Sequence, residues 1–173
     1  MCLTLQEHMS HTNRYSLADE VESELALCRQ ILERLPPEML GWKPHKKSPS
    51  AGELSMHIAD MAEWIGLAAT TEELDYATKA YSSFEPSTTT DMLRYFDERA
   101  NDAANSVREM NAEALQQTWT VRHGQRVFIA RSREQVIRVD CLNHIIHHRG
   151  QLTVYCRLRD VPLPGVYGPN GEE

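Results

Sequence analysis

Asp140-Cys141-Leu142-Asn143-His144-Ile145-Ile146-His147-His148-Arg149-Gly150-Gln151-Leu152 is the stretch from which the fold is read. It meets no helix breaker before Gly150, and His144 and His148 stand four positions apart. Four residues of α-helix make one turn plus about forty degrees at ~1.5 Å rise each, so the two imidazoles share a face. Such a pair chelates one cation at ~2.0–2.1 Å from each ring nitrogen, with the backbone cost already met by the helix. Two ligands do not make a tight site, so a third has to come from elsewhere, and His57 is the best candidate.

The face of His144 and His148 continues through Ile137, Cys141, Leu152 and Tyr155, which points the pair into a core. Ser132 and Glu134 open this last helix, which the pattern carries to about Arg159. Three other amphipathic segments precede it. Ser16 with Asp19 and Glu20 caps a first helix whose stripe is Leu17, Val21, Leu25, Cys28, Ile31, Leu32 and Leu35, ended by Pro36-Pro37. Ser50 with Glu53 forms a capping box for a second helix to about Thr70, with Leu54, His57, Ile58, Met61, Trp64 or Ile65, and Ala68 inward. A histidine there pays desolvation unless it is hydrogen-bonded or metal-bound. Glu72 to Ala80 reads as a short helix, and Met92, Leu93, Phe96, Ala100, Ala103, Ala104, Val107 and Met110 mark a third long one.

Between Leu115 and Ala130 the period changes to alternation, with Trp119 and Val121, then Val127 and Ile129, around His123-Gly124. That predicts a small hairpin or extended excursion before the last helix. The expected architecture is an all-α four-helix bundle, whose core is where facing helices build metal sites. Residues 1–15 read as a mobile leader and residues 16–173 as a single domain.

A net charge of −7 argues against a general affinity for nucleic acid or anionic membrane. The balance is uneven, because from Ala114 onward eight arginines face only five acids. No apolar run approaches the ~18 residues of a membrane span, the first residues lack a signal peptide's apolar centre, and a cytoplasmic location is expected. Cys2, Cys28, Cys141 and Cys156 show no CxxC spacing and read as reduced thiols, three of them buried.

Three imidazoles suit zinc, nickel, iron or copper, with zinc or nickel expected, and leave a position open as catalytic sites do. Cys141 is a candidate fourth ligand, with a core thiol as the plainer reading. His147 competes with His148 for the metal, and the four-residue spacing favours His148. Asp60, three after His57, and Asp140, four before His144, are candidates to fix the imidazole tautomers, with solvated carboxylates as the alternative. Ile145 stands where a zinc protease HExxH motif has its glutamate, which excludes that chemistry. No catalytic side chain can be named.

Glu53-Leu54-Ser55-Met56-His57-Ile58-Ala59-Asp60 and the HxxxHRGQL run from His144 to Leu152 resemble the DinB-like (DinB/YfiT) metal-binding bundle family. The arm Pro162 to Pro169 is similar to that family's closing segment. The resemblance implies an up-up-down-down four-helix bundle, a homodimer, and a divalent metal on His57, His144 and His148. It further implies a transferase that activates a low-molecular-weight thiol toward an electrophilic small molecule. The competing expectations are a metal-dependent hydrolase, a non-catalytic metal-binding stress module, and a helical dimer whose histidines are merely buried.

Overall fold

The computed structural model describes residues 16–79 and 84–172, so the leader expected at 1–15 lies outside the described residues. Helix α1, Leu17–Leu32, starts at the Ser16 capping box, in which the Asp19 N–H donates to Ser16 Oγ at 3.2 Å and the Ser16 N–H to Asp19 Oδ2 at 2.9 Å. It buries the predicted stripe from Leu17 to Leu32, while Leu35 is buried in the turn that follows. After a 3₁₀ turn at Pro37–Met39, the connector closes on α2 through the Gly52 N–H, which donates to the Leu40 carbonyl at 2.8 Å. A Cβ at Gly52 would meet that oxygen at 2.8 Å, so only glycine fits.

Helix α2, Ala51–Thr70, carries the second predicted capping box, with the Ser50 N–H on Glu53 Oε2 at 2.6 Å. The next segment departs from expectation. In place of a short helix over Glu72 to Ala80, the chain forms strand β1, Glu73–Asp75, parallel to β2, Thr118–His123. The physical reason is nonlocal: the Asp75 carboxylate accepts the Ala77 and Gly124 N–H groups at 2.9 and 3.0 Å and pairs with Arg122 at 2.6 Å. Helix α3, Thr89–Arg108, and a short α4, Ala112–Gln116, lead into the predicted hairpin of β2 and β3, Arg126–Ser132, which turns at Gly124 with φ +57°. The three-stranded sheet corrects the all-α expectation to a helical bundle with a small sheet. Trp119 anchors that sheet in the core, fully buried, with its indole N–H on Thr71 Oγ1 at 3.1 Å.

The last helix is composite. After the Ser132 cap come α5, Arg133–Gln135, a π-helical segment, Val136–Leu142, and α6, Asn143–Arg157. Interhelical pairs set the directions. Glu22 meets Arg108 and Arg29 meets Asp97, so α1 and α3 are antiparallel. Asp60 meets Tyr95 and Glu63 faces Arg99, so α2 and α3 are parallel. Arg133 reaches the Ala68 carbonyl while Tyr155 reaches that of Pro49, so α2 and the last helix are antiparallel. In chain order the bundle therefore runs up-down-down-up and not up-up-down-down. The crossover carrying β1 lets α2 and α3 run side by side in one direction.

Candidate metal centre

His57 projects from the second turn of α2, and His144 and His148 from the first two turns of α6. The antiparallel pairing of the two helices brings the three rings together, with centroids 4.9, 4.9 and 4.5 Å apart. His57 Nε2 lies 3.3 Å from His144 Nε2, and one ring nitrogen from each residue falls within 4.8 Å of the others. All three residues are half-buried.

Neighbouring groups orient the rings. Gln151 Oε1 sits 2.7 Å from His148 Nδ1, so that nitrogen donates its hydrogen and leaves the Nε2 lone pair for the centre. That Nε2 is buried with no hydrogen-bond partner among the described residues. His144 bonds to the backbone carbonyl of Asp140, which lies within the π-helical segment. Such segments recur where a side chain has to be aimed. Burial, then the neighbouring His144 and His148, pushes the His57 pKa down to about 4. Burial and His148 lower that of His144, opposed by the Asp140 carbonyl. The lowered pKa values of His57 and His144 favour the neutral rings, which offer lone pairs without releasing a proton first.

Gln151 is the residue that sequence reasoning missed. Its position three after His148 was the available signal, but on a regular helix it groups with Asn143 and His147. Of the two candidate carboxylates, Asp60 takes the Tyr95 hydroxyl at 3.1 Å and Asp140 pairs with Arg131 at 3.2 Å. Asp140 reaches His144 through its main chain. Cys141 is fully buried outside the cluster, with its thiol pKa pushed up by burial, as a core residue. His147 is exposed, its ring 5.0 Å from that of His148, and is likewise outside the cluster. Arg149 turns away from the site, buried against Glu24 at 2.8 Å and the Tyr167 hydroxyl, and so ties α6 to α1 and to the arm.

The donor set is entirely imidazole and includes one buried nitrogen without a protein partner among the described residues. These residues fit a divalent transition metal. A match to the DinB family spans residues 9–173. The chain belongs to the DinB family. Its fold is similar to a DinB-like protein of Bacillus subtilis, YjoA, at 16% identity and TM-score 0.69, over 87% of this chain and 96% of that one. A DinB-like protein of Bacillus cereus matches at 20% identity and TM-score 0.67, over 87% and 95%. YfiT of Bacillus subtilis, described as a probable metal-dependent hydrolase with an unusual four-helix bundle topology, matches at 14% identity and TM-score 0.63, over 92% and 95%. At these identities the likeness is one of fold. No functionally curated protein matches the chain. No helix among the described residues of this DinB-family chain is long and apolar enough to cross a membrane.

Proposed function

We propose that His57, His144 and His148 hold a divalent metal ion, zinc or nickel, and that the chain is a metal-dependent transferase acting on a low-molecular-weight thiol and an electrophilic small molecule. The observation that carries this reading is the His148 Nε2 lone pair, buried without a partner beside two imidazoles whose Nε2 atoms are 3.3 Å apart. A buried polar atom left unsatisfied costs ~1–3 kcal/mol, and coordination removes that cost. A divalent ion on three imidazoles keeps a position for a substrate and lowers the pKa of a thiol or water offered to it toward neutrality.

The protein's own part is orientation. Gln151 fixes the His148 tautomer, the Asp140 carbonyl holds the His144 ring, and burial keeps His57 neutral. The three converging groups are all imidazoles, and no carboxylate joins their cluster among the described residues. That favours a nucleophile as acidic as a thiol, which loses its proton more readily than water does. Three buried free cysteines, Cys28, Cys141 and Cys156, accord with a reducing cytoplasm.

Hydrolysis is the second reading, favoured by the description of YfiT. One experiment separates the two: metal content of untagged protein, then turnover of an electrophile such as chlorodinitrobenzene with and without added thiol, in wild type and His148→Ala. Thiol consumption lost in His148→Ala supports the transferase. Metal-dependent turnover without added thiol supports the hydrolase, and metal-free protein overturns both.

A further inference from the structure

A cleft of about 330 Å³ lies between α2 and α3. Gly66, one of its lining residues, comes nine positions after His57, which is half a turn beyond two whole turns of helix. The cleft is therefore on the opposite face of α2 from the three histidines. Because the two helices run parallel, the stripe Glu63, Gly66 and Thr70 stands level with Arg99, Asp102 and Ser106, and the seven-residue walls make a trough ~10 Å long. A Cβ on Gly66 would lie 3.7 Å from the Ala103 backbone, an ordinary contact, and alanine is the better helix former. What the glycine keeps is the space.

Arg99 is the group its surroundings leave incomplete. Its guanidinium lies 3.2 Å over the Tyr95 ring and donates from Nη1 to the Tyr95 carbonyl at 3.2 Å, which fixes its plane. Its Nε hydrogen is buried and has no hydrogen-bond partner among the described residues. Glu63 Oε2 stands 3.9 Å away, too far for a hydrogen bond, and Glu63 Oε1 is taken by Lys79 at 2.9 Å. A buried charged donor without an acceptor is costly, and the edge of a planar guanidinium is a two-pronged fit to a carboxylate.

Asp102 supplies the opposite charge. It follows Arg99 by three residues, ~4.5 Å along the same face, is exposed, and has no ion pair among the described residues. A cation and an acid that line one cleft without pairing to each other present both charges to whatever enters. We propose that the trough binds a free α-amino acid, its carboxylate on the Nε edge of Arg99 and its ammonium on the Asp102 carboxylate. An amino acid carries those two groups on one carbon, which suits two side chains a single helical step apart. A simple anion would leave Asp102 unopposed beside it, and a simple cation would leave Arg99 incomplete. The ligand's side chain runs toward Ser106 and Thr70, whose hydroxyl donates to the Gly66 carbonyl at 2.8 Å and keeps its lone pairs for a donor. The inference stands independently of the metal.

The test is calorimetric titration of the full chain with glycine, L-serine and L-glutamine, then with the N-acetyl and amide forms of whichever binds most tightly. Losing the ammonium or the carboxylate weakens binding roughly ten- to a hundredfold. Asp102→Asn, at an exposed position, weakens the free amino acid by a similar factor and removes its advantage over the N-acetyl form. Arg99→Gln removes its advantage over the amide, and Gly66→Ala weakens binding without lowering Tm. If Arg99→Gln loses helical circular dichroism, Asp102→Asn and the blocked ligands decide the matter alone. No binding by any of the three amino acids, equal binding of the blocked forms, or an N-acetyl effect that persists in Asp102→Asn overturns the proposal.

Discussion

Gln151 accepts the Nδ1 hydrogen of His148 at 2.7 Å and so dictates which nitrogen of that ring faces His57 and His144. In Gln151→Leu, of similar volume but without an acceptor, the His148 ring loses its tautomer lock. Metal affinity then falls by ~10–100-fold, as for other groups that orient a ligand from behind. The fold is little changed because Gln151 is only half-buried. Competition with a chromophoric chelator reads the affinity, and equal affinity refutes the role.

Metal and folding are coupled, because the unfolded chain cannot assemble His57 with His144 and His148, 87 positions and more away. A ligand at ~1,000 times its dissociation constant adds ~4 kcal/mol to stability. Chelation is therefore expected to lower Tm by roughly ten degrees in a chain of this size. His57→Ala and His148→Ala show no chelator effect, and a chelator-sensitive Tm in either variant places the metal elsewhere.

The metal-free protein has its own pH dependence. His57 titrates near 4 in the folded chain and near 6.5 when free, so between those values the unfolded state binds more protons. Stability is at its full value above pH 6.5, declines as pH falls toward 4, and loses no more from this group below that. Discounted for the ring's partial exposure, the loss is about 1–2 kcal/mol. Tm measured from pH 7 to 4 in chelator falls in wild type, and falls less in His57→Gln.

Arg149, next to the ligand His148, is 2% exposed and paired with Glu24. Arg149→Met leaves the Glu24 carboxylate, 16% exposed, without its cationic partner and with the Tyr167 hydroxyl as its remaining side-chain donor, which costs ~3 kcal/mol. Thermal melts of the chelated protein show Tm lower by on the order of ten degrees. Tyr167→Phe, which removes one exposed hydroxyl from the same cluster, shifts Tm by far less.

The helices, their caps and the two-histidine face were legible in the sequence because each is set by neighbours within four residues. Ser16 with Asp19, Ser50 with Glu53, and His144 with His148 are local relations, and a helix realises them wherever it lies. The hairpin around Gly124 was legible for the same reason, through period-two alternation and a residue that tolerates positive φ.

Tertiary structure alone decided the rest. Strand β1 exists because Arg122 and Gly124 lie beside Asp75, nearly fifty residues later. Helix directions follow from pairs such as Asp60 with Tyr95, and Gln151 stands behind the His148 ring in the rotamers that the packed helix adopts. Local periodicity states which side of a helix is inward, and His57 was inward by that measure. That its ring ends 3.3 Å from His144 depends on how two helices pack, a balance of contacts that no window of neighbouring residues contains.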